Sequence, residues 1–266
     1  MTGSILTPGG SFVTGRSRQI VLLLATVSTL VMNYLSSATS LFANSNKQIS
    51  DALPNSFTPA GLTFAVWGVI FLGLITFAVY QALPAQRGPR YDGLFWPYLL
   101  SNLLNSAWLS AFQTLNFGLS VLVMLALLAS LVWLYLTLAD MKLRGTERFT
   151  LGVPASLYLA WITVATVANI TAWLVSRGFT DGLAGVSPQT WSVGLLLVAA
   201  LIGAVMLVRR RDVAFGLVLA WAFYGVYLAR PEQGTVVTGV ILAAVVLLVG
   251  AAAGYGRRGK HPLLTH

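Results

Sequence analysis

Charge is segregated along this 266-residue chain in a way that constrains its fold more than any other feature. The chain has 16 Lys and Arg and 7 Asp and Glu, and none of them lies inside any of its eight long apolar runs. The runs begin near residues 21, 59, 94, 117, 152, 189, 212 and 234, and each is about 20 residues long, enough to cross a bilayer as a helix. We therefore predict an all-α fold: a polytopic membrane helical bundle with eight transmembrane helices.

The basic residues of the loops predict the orientation of these helices. With the N-terminus placed inside, the inside segments hold 13 Lys and Arg, whereas the outside loops hold Lys47, Arg177 and Arg230. Cytoplasmic segments of membrane proteins collect basic residues, so we expect both termini in the cytoplasm and the protein in the plasma (inner) membrane. The first run, 20–42, is longer than the core of a signal peptide and is predicted to be an uncleaved span. The net charge of +9 reports this topology, and we predict no nucleic-acid partner.

The residue composition of the runs divides the chain into four parts. We predict a polar N-terminus over 1–19, a five-helix core over 20–177 with polar and aromatic residues inside its spans, a plainer three-helix membrane extension over 178–256, and a basic tail over 257–266. Helix seven is intermediate because it contains Trp221, Tyr224 and Tyr227. The longest outside connection, 44–58, is polar and contains Pro, which is compatible with a lid over a cavity or with an ordinary solvated loop.

The apolar runs lack the residues that most membrane chemistry requires. The chain has no Cys, and both His residues, His261 and His266, lie in the tail. Proton relays and coupled pumps need ionisable groups in the membrane, and metal or haem-iron ligation needs His, Cys or carboxylate. We therefore predict no catalytic residue, no metal site and no required cofactor. An interior of this kind can still bind an apolar ligand.

Aromatic and amide side chains concentrate in three of the runs. They lie at the start of helix two, in helix three and in helix five: Trp67; Asn105 and Trp108; and Tyr158, Trp161, Ala165 and Asn169. The four residues of helix five share one helical face, and an Asn inside the membrane needs a partner. The three Trp residues fit either helix packing or a ligand pocket. Near the span ends, Trp96, Trp173 and Trp191 are predicted as interfacial anchors, whereas Trp133 in helix four is predicted to pack inside the bundle.

These three segments resemble motifs of the TspO/MBR family (translocator protein, or tryptophan-rich sensory protein; formerly the peripheral benzodiazepine receptor). The matching elements are Pro59 leading to Val66-Trp67, Leu104-Asn105-Ser106-Ala107-Trp108, and Tyr158-Leu159-Ala160-Trp161 followed by Ala165 and Asn169. The family's Trp-x-Pro-Pro-x-Trp style loop is absent, with Phe57 and Phe64 nearby instead. The resemblance covers about residues 20 to 177.

The resemblance implies a five-helix bundle, often dimeric, that binds porphyrins, sterols and synthetic ligands in a cavity under the first loop. It implies pocket roles for Trp67, Asn105, Trp108, Trp161, Ala165 and Asn169. We add Tyr158 from the same face of helix five, and we expect Phe57, Pro59 and Phe64 to belong to the lid loop.

The predicted function is that of an integral membrane receptor or translocator for a hydrophobic planar ligand, a tetrapyrrole (porphyrin) or a sterol-like molecule. The expected partners are membrane lipid, this ligand and a second copy of the chain in a homodimer. A facilitative transporter of a neutral or lipidic solute and a membrane assembly or scaffold protein are the alternatives. Enzymatic porphyrin breakdown, suggested for some members of the family, has only the aromatic residues to support it.

Overall fold

The computed structural model describes residues 13–39, 41–42, 44–53, 55–182 and 184–256, and this part of the chain is built from helices and their connections. The predicted all-α class is confirmed. The basic tail 257–266 and most of the predicted polar N-terminus lie outside the described residues.

The helices follow the apolar runs, with one short helix added in the loop between the first two runs. They are α1 (Gly15–Ala38), α2 (Asn46–Ala52), α3 (Val66–Ala82), α4 (Phe95–Gln113), α5 (Phe117–Asp140), α6 (Val153–Ser176), α7 (Pro188–Val205), α8 (Val213–Ala229) and α9 (Gly234–Gly256). A 3₁₀ turn, Gly61–Ala65, leads into α3, and π-helical turns at Arg148–Gly152 and Met206–Arg210 extend α6 and α7.

Six of the described helical segments are long and apolar enough to cross a membrane: Gly15–Ala38, Gly61–Ala82, Phe117–Asp140, Arg148–Ser176, Pro188–Arg210 and Gly234–Gly256. The remaining two candidates are less clear spans by composition and length. Helix α4 has 19 residues, and the Asn and Ser side chains among them lower its hydropathy. Helix α8 is apolar but has 17 residues, near the lower limit of about 17 for a spanning helix. The membrane bundle is thus confirmed, and the count of eight spans stays a prediction.

Five helices form a closed ring in which each contacts two neighbours. The order around the ring is α1, α3, α6, α5 and α4, and α4 returns to α1. The helices of this ring are those of the predicted core, and α6 is the most buried of the six described segments that are long and apolar enough to cross a membrane. The side chains of Asn105 and Trp108 on α4 and of Tyr158, Trp161 and Asn169 on α6 are buried against other helices.

The last three helices pack on one another and on one side of the ring. Helices α7 and α9 lie in close contact, and α8 packs against α6 and against the 3₁₀ turn before α3. At Gly250 of α9, an added Cβ would lie only 2.7 Å from Ala204 Cα. Small residues let helix backbones approach in this way where lipid offers no hydrophobic driving force.

Asp212 joins the extension to the core. Its side chain caps α8 by accepting from the Phe215 amide at 3.0 Å, and it also accepts from Tyr135 Oη at 2.8 Å and Ser156 Oγ at 2.6 Å. These two donors belong to α5 and α6 of the ring. One carboxylate thus links three helices, at the end of the bundle where the basic loops lie.

Charged side chains lie at the ends of the membrane-scale helices. The first helix begins earlier than the apolar run, so Arg18 falls within its first turn and is fully buried. Arg18 Nη1 pairs with Asp92 Oδ1 at 2.8 Å, and Nη2 donates to the carbonyl of Gln86. A buried cation requires such partners. The apolar runs contain no charged residue, as the sequence indicated. Helix α1 does contain Arg18, because it begins before its apolar run.

The predicted packing role of Trp133 is wrong. Trp133 is 47% exposed on the surface of α5, as exposed as the predicted anchors Trp96 and Trp191 at 44% and 41%. A Leu-rich helix with little polarity gives no signal for which of its faces turns toward lipid.

Candidate functional site

A cavity opens beneath the loop that joins α1 to α3, between α3, α4 and α6. We call it the aromatic cavity. Its described lining carries no charged side chain and consists of Asn46, Ser50, Leu53, Asn55, Thr58, Pro59, Phe64, Trp67, Trp108, Phe112, Trp161, Val164, Ala165, Ala168, Asn169 and Ala172. The cavity has a volume of only about 60 Å³. The empty space in and around it, counted together with the part open to solvent, is about 610 Å³.

Three aromatic rings from two segments meet on one wall of the cavity. Trp67 and Trp161 contact edge to face with centroids 6.4 Å apart, and Phe64 meets Trp161 in the same manner at 6.0 Å. Such offset or edge contacts are the favoured arrangement of aromatic pairs. The predicted juxtaposition of helix two and helix five at these Trp residues is therefore present in the fold.

The opposite wall is formed by α4, where Trp108 stacks on Phe112 with centroids 5.4 Å apart. Trp108 Nε1 donates to Asn169 Oδ1 at 2.6 Å, and Asn169 Nδ2 donates to Ser120 Oγ at 2.9 Å. These bonds tie α4, α6 and α5 together and fix the Trp108 indole against the cavity. Asn169 lines the cavity, but both ends of its amide are already paired within the protein.

Asn105 and Tyr158 are not among the lining residues. Asn105 Nδ2 donates to Tyr158 Oη at 2.8 Å, and Asn105 Oδ1 accepts from Asn33 Nδ2 at 2.8 Å. The three side chains connect α4, α6 and α1, and all three are buried. The structure thus brings Trp67, Trp108, Trp161, Ala165 and Asn169 to the cavity and places Asn105 and Tyr158 in a neighbouring interhelical network.

Trp161 is the lining residue with an unmatched polar atom. Its side chain is 3% exposed, and Nε1 has no hydrogen-bond partner among the described residues. A buried donor without an acceptor costs about 1–3 kcal/mol. An acceptor atom on a bound molecule would remove this cost, so Trp161 is the residue best suited to a directional contact inside an otherwise apolar cavity.

The loop between α1 and α3 covers the cavity and forms a lid, which we define as residues 46–53 and 55–60. Helix α2 within it begins with a capping box in which Ser45 Oγ accepts from the Gln48 amide at 3.2 Å and Gln48 Oε1 accepts from the Ser45 amide at 2.8 Å. After α2, Asn55 Oδ1 accepts from the amides of Phe57 and Thr58 at 3.0 and 2.8 Å. The connection is therefore a structured lid rather than an ordinary solvated loop.

The predicted lid-loop residues take different positions. Pro59 and Phe64 line the cavity. Phe57 is 1% exposed and belongs to the hydrophobic core, so it anchors the loop rather than facing the cavity. On the α4 side, Gln113 Nε2 donates to Asn46 Oδ1 at 3.0 Å and holds the start of α2.

Sequence reasoning missed several residues of this site. Asn46, Asn55 and Phe112 line the cavity, and Trp221 and Arg230 of the extension contact the loop around it. Two signals were available: Trp221 lies in a helix of the extension that also contains two Tyr residues, and Arg230 is one of the few basic residues predicted outside.

No curated protein and no solved structure matches the chain. A family model does match, and it is described as TSPO-like protein and covers residues 19–253. This match includes the five-helix ring with its aromatic cavity and continues through the three-helix extension. Because it spans most of the sequence and agrees with the motifs at Trp67, Trp108 and Trp161, the chain belongs to the TSPO-like protein family.

Proposed function

We propose that this protein is a membrane receptor or translocator that binds a hydrophobic planar ligand in the aromatic cavity. The observation that carries the proposal is the combination of three Trp residues around an uncharged cavity with an unpaired indole N–H on Trp161. Ligand sites are mostly apolar and contain few polar groups that fix orientation. Here the rings of Trp67, Trp108 and Trp161 offer apolar contact, and Trp161 Nε1 offers the directional contact.

The proposed ligand is a tetrapyrrole or a sterol-like molecule with at least one hydrogen-bond acceptor. Flat rings suit the aromatic walls because aromatic faces and edges pack favourably against them. The free space of about 60 Å³ holds only about four water molecules. A ligand of tetrapyrrole size therefore enters when the lid and the side chains beneath it move apart.

The proposed setting is the plasma (inner) membrane with both termini in the cytoplasm. The positive-inside rule then places the lid and the mouth of the aromatic cavity on the outer side. A homodimer, which the family resemblance implies, is part of the proposal but does not enter the design of the test.

Titration of the purified protein with protoporphyrin IX tests the proposal through quenching of Trp fluorescence. We expect saturable quenching with the unaltered protein, a large loss of affinity in Trp161→Ala, and an intermediate loss in Trp161→Phe, which keeps a ring but removes the N–H donor. Trp133→Phe is the matched control, because Trp133 lies on the outer surface of α5 and its loss should leave the affinity unchanged.

Two results would contradict the proposal: no saturable quenching, or equal affinities for the unaltered protein and Trp161→Ala. A cholesterol analogue titrated in the same assay separates a sterol-like ligand from a tetrapyrrole. Uptake of bound ligand into liposomes then separates a translocator, which moves the ligand, from a receptor, which only binds it.

A further inference from the structure

Helix α8 of the extension is hydrogen-bonded to the loop that covers the cavity. Arg230, at the end of α8, donates from Nε and Nη2 to the Asn55 carbonyl at 3.1 and 2.6 Å. The Ala60 amide donates to the Gly225 carbonyl at 2.9 Å. Trp221 Nε1 donates to the Thr63 carbonyl at 3.0 Å. Each bond uses a backbone atom of the loop, so the contact fixes the path of the chain rather than a single side chain.

Gly225 permits this close approach. A Cβ added at position 225 would collide with Thr63 Oγ1 and would lie 2.9 Å from the Cβ atoms of Pro59 and Thr63. A larger residue would push the lid and α8 apart. Glycine is the residue that allows another backbone to come this near.

The segment held by α8 also covers the cavity. Asn55 and Pro59 line the aromatic cavity, and each is in contact with α8 through Arg230 or Gly225. The lid is thus placed between the cavity on one side and the extension on the other. Because a cavity of about 60 Å³ is too small for a planar ligand, we expect this segment to leave α8 when a ligand enters through the mouth.

We propose that α8 holds the lid closed. Trp221, Gly225 and Arg230 keep residues 55–63 in place over the cavity, and breaking these contacts admits or frees the ligand. The inference rests on the proposed function and gives the three-helix extension a role in it. The three residues are positioning residues, since none of them lines the aromatic cavity. Their loss should therefore change the rates of binding and release more than the affinity.

A reversible cross-link tests the proposal, and the chain is suited to it because it contains no Cys. The variant carries Pro59→Cys and Gly225→Cys, with Thr63→Gly, because both Oγ1 and Cβ of Thr63 lie too close to a Cβ at position 225. The Cβ separation of 2.9 Å is slightly below the usual disulfide value of about 3.5–4.5 Å, so a small shift allows the bond. Stopped-flow quenching by protoporphyrin IX is measured before and after reduction with dithiothreitol.

We expect the oxidised variant to lose the rapid quenching phase and the reduced variant to recover it, while the unaltered protein responds to neither reagent. Equal rates in the oxidised and reduced forms would overturn the proposal, because the ligand would then reach the cavity without the lid leaving α8. Absence of binding by the unaltered protein would instead refute the proposed function itself, so the two failures are distinguishable.

Arg230→Gln provides a second test without a cross-link. Losing a charge-assisted hydrogen bond to Asn55 should raise both the association and the dissociation rate by about tenfold, with a much smaller change in affinity. Arg230→Lys should restore part of the effect, and Arg177→Gln, an exposed Arg at the end of α6, is the matched control. A lower melting temperature with both rates unchanged would show a merely structural role and would contradict the proposal.

Discussion

Replacing Asn105 by Leu should destabilise the protein without removing the ligand site. The substitution removes the bonds of Asn105 to Asn33 and Tyr158, both 2.8 Å long. Hydrogen bonds between membrane helices contribute about 0.6 kcal/mol on average and up to about 1.7 kcal/mol. Two lost bonds therefore lower the free energy of unfolding by about 1–3 kcal/mol, because Tyr158 Oη is left buried without its partner on α4.

Asn102→Leu is a closely matched control for this prediction. Asn102 lies one turn before Asn105 on the same helix and is equally buried, at 1% exposure. Its Nδ2 donates to the Tyr98 carbonyl within α4 at 2.9 Å, and its Oδ1 has no partner among the described residues. The control should lose at most about 0.6 kcal/mol, since no bond between helices is broken.

Equilibrium unfolding in mixed micelles with increasing SDS, followed by circular dichroism, measures both free energies. Protoporphyrin IX titration of the folded variants then measures affinity. Our interpretation requires a larger destabilisation by Asn105→Leu than by Asn102→Leu together with an unchanged affinity. A large loss of affinity with normal stability would refute it and would return Asn105 to the pocket role that the family resemblance implies.

Three further predictions concern the rest of the bundle. Asp212→Ala should lower the melting temperature in detergent more than Ser156→Ala does, because it removes the cap of α8 together with the bonds from Tyr135 and Ser156 of the ring. Gly250→Val should destabilise by about 1–3 kcal/mol in SDS unfolding through overpacking of α7 against α9, whereas Gly194→Ala, where an added Cβ meets nothing within 4 Å, should be neutral or stabilising. Burial raises the pKa of Glu147, but hydrogen bonds from Tyr91 and Arg90 outweigh it and the net pKa lies below the usual 4.5. Glu147→Gln should therefore lower the melting temperature at pH 7, and the difference should shrink as the pH falls below 4.5 and vanish below the lowered pKa of Glu147.

The membrane spans and the main walls of the cavity could be predicted from the sequence. Charge segregation located the helices because a charged group inside the hydrocarbon is too costly. The stripe on α6 brought Trp161, Ala165 and Asn169 to one cavity, since residues at this spacing share a helical face. Ala165 and its neighbour Ala168 leave the space that the Trp rings surround.

The role of each Asn was harder to predict. Asn105 and Asn169 both need a partner in the membrane, but helical periodicity does not say whether that partner is another helix or a ligand. The structure shows that Asn105 pairs with Asn33 and Tyr158, and Asn169 with Trp108 and Ser120. Neither amide remains free to orient a ligand, whereas the Trp161 indole does.

The contact between lid and extension lay beyond sequence reasoning for a different reason. Arg230 and Asn55 are separated by 175 positions, and each lies in a segment that was interpreted alone. Gly225 lies between Tyr224 and Val226, and a single Gly in an apolar helix does not indicate which segment approaches it, so its close contact with Pro59 and Thr63 has no local signature. A tertiary approach of this kind depends on how α8 packs against α6, which hydropathy does not encode.

If α8 holds the lid as proposed, the length of this helix connects the lid to the opposite end of the bundle. Its 17 residues form a rod about 25 Å long, with the Asp212 junction at one end and the Arg230 contact at the other. A molecule that binds near Asp212 and tilts this rod would alter the work needed to open the lid. Thermodynamic linkage makes the effect reciprocal: a ligand that opens the lid would change the affinity of that molecule on the far side by the same factor.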